Sequence, residues 1–184
     1  WQRKKQILFL SRIHVKKGIE FLLKAVAELK KELTGYMVHI VGEGDEHYIN
    51  TLKMECQRLG IESMINFSGG VYGEQKWSLF RDADVFVLPT YSENFGIVIA
   101  EALASGTPVI TTNGTPWKEL NSQHCGWYTN VGTEPIKTAL QSFLSLSIEE
   151  LKQMGENGRG LIENKYSTKK ISQDMFLLYK RITE

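Results

Sequence analysis

Cysteine and proline are scarce, two and four residues in 184. Cys56 and Cys125 form no spaced pair and the four histidines are scattered, so neither a disulfide framework nor a zinc signature is present. A reducing compartment, and with it a cytoplasmic location, is the expectation. No charge dominates: 22 Lys+Arg face 21 Asp+Glu, a net +1 that gives no bulk pull toward nucleic acid. No apolar run approaches the roughly 18 residues of a membrane span, and no signal-peptide pattern is seen. What is present is 42% hydrophobic and 10% aromatic residues with dispersed charge, which argues against disorder. A chain of this length makes one domain that buries roughly 70% of its unfolded surface. It begins with Trp1 rather than Met, which reads as processing or, in preference, as a piece excised from a longer protein.

Short β-rich runs alternate with amphipathic segments along the chain. Ile7-Leu8-Phe9-Leu10 reads as a buried strand, followed by a helix over 18–33 with Leu22, Val26, Leu29 and Leu33 on one face. Met37-Val38-His39-Ile40-Val41 is a second strand; Ile49, Leu52, Cys56 and Leu59 then recur at helical spacing, which makes Cys56 a core residue. A third strand over 64–67, a helix over 75–83 and the run Val85-Phe86-Val87-Leu88 follow, the last stopped by Pro89. Val109-Ile110-Thr111 and Gly126-Trp127-Tyr128 complete about six strands, and beyond Gly132 the pattern is helical, ending in the stripe Ile171, Met175, Leu178 and Ile182.

Strands joined by helices run parallel, and right-handed crossovers make this a doubly wound, Rossmann-like α/β sheet with helices on both faces. In such a sheet the loops leaving the carboxyl ends of the strands converge on one edge, where ligands bind. Those loops are 11–18, 42–44, 69–71, 89–96 and 112–114, and they gather cations, glycines and carboxylates. Asn94 reads as the N-cap of the helix after the fourth strand and Gly106 as its C-cap. Between Asn94 and Trp117 the only charged residue is Glu101. A carboxylate in so apolar a helix needs partners. It is either a core glutamate satisfied by amides or a lysine, or an acceptor for ligand hydroxyls such as those of a ribose. Glu93 is either a solvated loop residue or a second carboxylate for the same ligand. The helix mouth at Gly96, with Arg12 and Lys17 leaving the first strand on the same edge, forms an anion site suited to a diphosphate.

The stretch Ser11-Arg12-Ile13-His14-Val15-Lys16-Lys17-Gly18 resembles the G-R-L-x-x-x-K-G opening of the nucleotide-binding half of retaining GT-B glycosyltransferases, glycosyltransferase family four. Glu93 and Glu101 match that family's Glu-x(7)-Glu signature. Val41-Gly42-Glu43-Gly44, Phe67-Ser68-Gly69, the run from Ala83-Asp84 to Pro89, and Asn113-Gly114 with Glu119 extend the resemblance over nearly the whole chain. Asn94 and Ser11 depart from it, each standing where the family has glycine.

The resemblance implies a metal-independent enzyme without a cofactor, its donor a UDP-sugar, with GDP- or ADP-sugars as alternatives. Arg12 and Lys17 would hold the diphosphate and stabilise the departing nucleotide, with Glu93 beside the donor sugar as a polar and electrostatic group. Asn94, Phe95, Gly96, Ile97 and Val98 would bind sugar hydroxyls and phosphate through their amides. Glu101 would accept from the ribose, and Gly42, Gly70 and Val71 would lie toward the nucleotide. Residues 1–184 would be the C-terminal, donor-binding half, partnered by an N-terminal acceptor domain outside this chain. A final helix over about 168–182 would cross toward that domain and leave apolar surface bare, inviting self-association. The acceptor would be a glycan or a lipid-linked molecule.

Three other readings compete. A Rossmann dehydrogenase fits Gly42-Glu43-Gly44 but has His47 where the fingerprint wants glycine. A sugar-nucleotide epimerase shares the fold, and a non-catalytic binding module shares the ligand. Trp77, Trp117 and Trp127 read as packing residues, with Trp117 near enough to Asn113-Gly114 to brush the sugar. His14 reads as loop surface, Cys125 as an inert thiol and Arg3-Lys4-Lys5 as a solvated linker.

Overall fold

Runs such as Ile7-Leu8-Phe9-Leu10 and Val85-Phe86-Val87-Leu88 offer no polar side chain to water, so they are stable only with cover on both faces. In the computed structural model, which describes residues 3–183, they are the two central strands of a sheet. The expectation attached to Trp1 lies outside the described residues. In chain order the elements are β1 (Gln6–Leu10), α1 (Ile19–Glu28), β2 (Met37–Val41), α2 (Glu46–Leu59), β3 (Ile65–Ser68), α3 (Glu74–Asp82) and β4 (Val85–Leu88). Then come α4 (Ile97–Ala104), β5 (Val109–Thr112), α5 (Glu119–Ser122), β6 (Gly126–Thr129), α6 (Thr133–Ser145), α7 (Ile148–Leu161) and α8 (Thr168–Thr183). All six strands are parallel in the order β3-β2-β1-β4-β5-β6. This is a doubly wound α/β sheet, with α1 packed on α2 and α6 in one helical layer and α4 packed on α7 in the other. None of the helices described is long and apolar enough to cross a membrane.

The order reverses between β1 and β4. There the ladder is short: β1 pairs with β2 over five positions but with β4 only at Ile7 and Leu8. Beyond that point the two strands part at their carboxyl ends, which opens the crevice where a ligand is expected in this architecture.

Three local expectations are corrected. Helix α1 ends at Glu28 rather than at Leu33; the chain continues in hydrogen-bonded turns that still bury Leu29 and Leu33, so the apolar spacing outlasts the helix. Strand β3 begins at Ile65 because Glu62–Met64 forms a 3-10 turn. Arg3-Lys4-Lys5 is solvated only in part: Lys4 and Lys5 are exposed, but Arg3 is not. The Arg3 guanidinium donates to Tyr36 Oη at 2.8 Å and to the Leu146 carbonyl, and lies 5.3 Å from the centre of the Phe143 ring. The amides of Lys4 and Gln6 both donate to the buried Asp84 carboxylate at 3.0 Å, which supplies the partners a desolvated charge requires. A single π-helical turn, Ile162–Tyr166, joins α7 to α8. Ile171, Met175, Leu178 and Ile182 on α8 are all exposed.

Candidate functional site

The loops after β1 and β4 are tied together across the crevice. The Lys16 carbonyl accepts from the Tyr91 amide and from the buried Thr90 hydroxyl, each at 2.9 Å. Lys17 ends a 3-10 turn, Val15–Lys17, closed by Gly18 in the left-handed conformation (φ 63°). A Cβ on Gly18 would stand 2.3 Å from the Pro89 carbonyl oxygen, so this close approach of the loops requires glycine. Lys17 Nζ then meets Glu93 Oε1. The Glu93 amide donates to the Gly114 carbonyl at 2.7 Å, so the loop after β5 fixes the backbone that carries this carboxylate. Glu93 is therefore a paired, largely desolvated group and not a solvated loop residue.

Two clefts adjoin along this edge and share Ser11 and Arg12 in their walls. The larger, about 660 Å³, includes Gly42, Gly70 and Val71, as expected, together with Glu43, Tyr72 and Lys76. The second, about 540 Å³, is walled by Lys17, Glu93, Asn94, Phe95, Gly96, Ile97 and Val98. The backbones that separate them are pressed close: a Cβ on Gly42 (φ 149°) would lie 1.9 Å from the Ser11 carbonyl oxygen. Arg12 is exposed where the clefts meet. Glu101 walls neither cleft but is joined to the larger by Lys76, whose Nζ meets Glu101 Oε1. The partner that its apolar helix demanded is thus a lysine.

Helix α4 starts later than the last polar residue suggests. Its N-cap is Gly96 in the left-handed conformation (φ 78°), not Asn94, and Gly96 gives no side-chain cap. The first amides of a helix have no intrahelical acceptor, so this end offers free donors to the second cleft. Ser105 is the C-cap, and Gly106 follows it with φ 79°. Neither Asn94 nor Ser11 takes a positive φ, so both replacements of the family's glycine are free of backbone strain. Trp117 is buried and cannot brush a ligand; its indole Nε1 donates to the Phe95 carbonyl at 2.5 Å and holds the loop from behind. Phe95, Trp117 and Tyr166 form a three-ring cluster with centroids 5.0 to 5.6 Å apart.

Sequence reasoning missed Lys76 and Tyr166. Each lies on a helical segment whose place beside α4 is set by topology, not by local pattern. Other residues read as expected. Cys56 and Cys125 are buried, and desolvation pushes their thiols up to about 11 and about 12, inert values. His14 is exposed, and its Nδ1 accepts from the Lys16 amide at 3.1 Å. The N-terminus of α2, where a dehydrogenase would seat a pyrophosphate, is occupied by the Asp45 carboxylate, which accepts from the Tyr48 amide at 2.9 Å. An anion would meet that charge there, so this loop is no dinucleotide site.

A model of the family described as glycosyl transferases group 1 matches residues 2–161. An uncharacterised glycosyltransferase of Methanocaldococcus jannaschii is 39% identical over 110 residues, 59% of this chain and 27% of its own length. The alpha-monoglucosyldiacylglycerol synthase of Streptococcus pneumoniae is 38% identical over 113 residues, 61% of this chain and 25% of its own. The matched segment thus spans about a quarter of these relatives. Among solved structures, Anabaena HepE in complex with UDP and glucose has a TM-score of 0.84 at 19% identity, covering 97% of this chain and 49% of that one. The C-terminal domain of a glycosyl transferase group 1 family protein from Francisella tularensis has a TM-score of 0.78 at 23% identity, covering 89% and 86%. At those identities the structural likeness speaks for the fold, which is that of the GT-B enzymes' Rossmann-like domains. With a family model that spans most of its length and a doubly wound sheet of the same kind, the chain belongs to the glycosyl transferases group 1 family.

Proposed function

We propose that this chain is the donor-binding half of a retaining, metal-independent hexosyltransferase that takes its sugar from a nucleoside diphosphate sugar. The observation that carries the reading is Arg12 at the junction of the two clefts, with the Lys17–Glu93 pair in the wall of the second. The nucleotide lies in the larger cleft against Gly42, Gly70 and Val71, the diphosphate meets Arg12 and Lys17, and the sugar lies in the smaller cleft beside Glu93. An ammonium has three donors, so Lys17 keeps two for phosphate while it holds Glu93. As the glycosidic bond to phosphate breaks, negative charge grows on the leaving diphosphate, and two fixed cations with the free amides of α4 stabilise it. Glu93 supplies the electrostatic complement to the sugar, whose ring gains positive character. UDP is the favoured nucleotide, supported by a fold neighbour solved with UDP and glucose, ahead of GDP and ADP. The acceptor, a glycan or a lipid-linked molecule, is brought by a second domain against which α8 packs, and the whole enzyme works in the cytoplasm.

The test is a thermal-shift panel of UDP, GDP, ADP and their sugar conjugates at millimolar concentration, with Lys17→Ala and Glu101→Ala beside the wild type. A ligand at about 50 times its dissociation constant adds roughly 2.3 kcal/mol, or roughly 5–9 °C for a domain of this size. A shift with one nucleotide, reduced in both variants, is expected. No shift with any of them sinks the reading, and robust sugar transfer by this chain alone sinks its half-enzyme part.

A further inference from the structure

Lys76 is placed where its own helix disfavours it. It sits in the first turn of α3, next to the positive end of the helix dipole, where acidic residues are favoured. Its ammonium meets Glu101 Oε1 on α4 and lies 5.3 Å from the ring centre of its helix neighbour Trp77. Lys76 is also part of the wall of the 660 Å³ cleft, on the same rim as Gly70 and Val71. Side-chain exposures of 25% for Lys76 and 17% for Glu101 make the pair largely buried, with Lys76 in the cleft wall and Glu101 behind it. Glu101 has two oxygens and Lys76 holds one, which leaves Oε2 as an acceptor for a ligand hydroxyl.

We infer that Lys76 is a positioning residue for nucleotide recognition: by holding Glu101 Oε1 from the wall of the larger cleft, it aims the carboxylate at the hydroxyls of the nucleotide's ribose. This assignment rests on the donor-site reading above. A carboxylate in an otherwise apolar helix and without a partner turns toward water. With Lys76 in place the carboxylate is fixed in direction, and a fixed acceptor discriminates between a sugar with hydroxyls and one without them. The ammonium thus acts on the ribose through Glu101 rather than by touching it.

The test measures the dissociation constants of UDP, GDP and ADP and of their 2′,3′-dideoxy counterparts by titration calorimetry, for wild type, Lys76→Met, Lys76→Gln and Lys76→Arg. For the tightest-binding base, wild type is expected to prefer the ribonucleotide by at least about tenfold, the worth of hydrogen bonds to a charged acceptor. Lys76→Met and Lys76→Gln bring that ratio to within about twofold, and Lys76→Arg restores it. A loss of affinity that falls equally on both nucleotides, with the ratio kept, shows a merely structural ion pair and overturns the inference. Two non-lysine variants keep a folding defect in one of them from deciding the result. If wild type binds the nucleotides but shows no preference for ribose, the inference fails and the donor-site reading stands. If wild type binds none of the six, the donor-site reading fails and this assignment with it.

Discussion

Lys17 Nζ donates to Glu93 Oε1 across the point where strand order reverses, joining loops 76 residues apart in sequence. The side chains are only 13% and 17% exposed, so both charges have given up most of their hydration. Such a pair adds little net stability when intact but is costly to break on one side. Its placement in the wall of a cleft, where a ligand can use the remaining donors of the ammonium, accounts for it better than stability does.

Removing one partner is therefore worse than neutralising both. Lys17→Ala strands the Glu93 carboxylate and is expected to lower stability by about 1–3 kcal/mol, a drop of roughly 2–12 °C in melting temperature. Lys17→Ala combined with Glu93→Gln recovers at least half of that loss. Equal melting temperatures for the single and double variants contradict a coupled pair.

Trp117 supports the same loop from the core. Trp117→Phe keeps a ring against Phe95 and Tyr166 but deletes the donor to the Phe95 carbonyl, at a cost of about 1 kcal/mol. Hydrogen exchange is expected to quicken at the amides of Phe95, Gly96, Ile97 and Val98 and to stay slow along β4. Uniform acceleration throughout the sheet shows that the tryptophan serves the core and not the loop.

Two glycines separate required from tolerated flexibility. Gly18 has φ 63° and a backbone oxygen 2.3 Å from its missing Cβ, so Gly18→Ala both strains the backbone and forces the β1 and β4 loops apart. A loss of at least about 1–3 kcal/mol follows, and nucleotide binding weakens with it. Gly160, inside α7, has nothing within 4 Å of a built Cβ. Gly160→Ala is expected to raise stability by about 0.5–1 kcal/mol. Denaturant melts of the two variants that move in the same direction refute this division.

The sheet was legible because its central strands are continuous apolar runs; Val85–Leu88 and Met37–Val41 are found at the boundaries read from sequence. Arg12, Lys17 and Glu93 were legible because loops at the carboxyl ends of parallel strands must meet, however far apart they are in the chain. Lys76 was not. A lysine in an amphipathic helix looks the same whether it faces water or a buried carboxylate, and only the packing of α3 near α4 tells the two apart. Asn94 was misread as a cap because the local rule takes the last polar residue before an apolar run, whereas the left-handed backbone of Gly96 sets the start. Arg3 was misread for a similar reason: a basic cluster near the chain start gives no sign of the Tyr36 hydroxyl and Leu146 carbonyl that receive its guanidinium.

Glu119 links the approach to α8 to the ring cluster, and it makes that link sensitive to pH. Its carboxylate accepts from Tyr166 Oη and pairs with Lys165 Nζ, while the Tyr166 ring packs on Phe95 and Trp117. Burial works against its charge, but the hydrogen bonds from Lys165 and Tyr166 outweigh burial and hold the carboxyl below its ordinary 4.5. A carboxyl depressed by folding contributes stability that is complete above about pH 4.5 and is lost as pH falls through the lower folded value. Lys165 is shifted the other way, above its ordinary 10.5, chiefly by the hydrogen bond to Glu119, so its contribution is complete below that value and fades only as pH rises through the raised one. Glu119→Gln is therefore expected to melt below wild type by a constant margin between about pH 5 and pH 10. The margin shrinks toward zero in acid, as wild type loses the charge that the variant never had. Melting curves in which the margin is unchanged from pH 7 down to pH 2 rule out the charged Glu119 as its source.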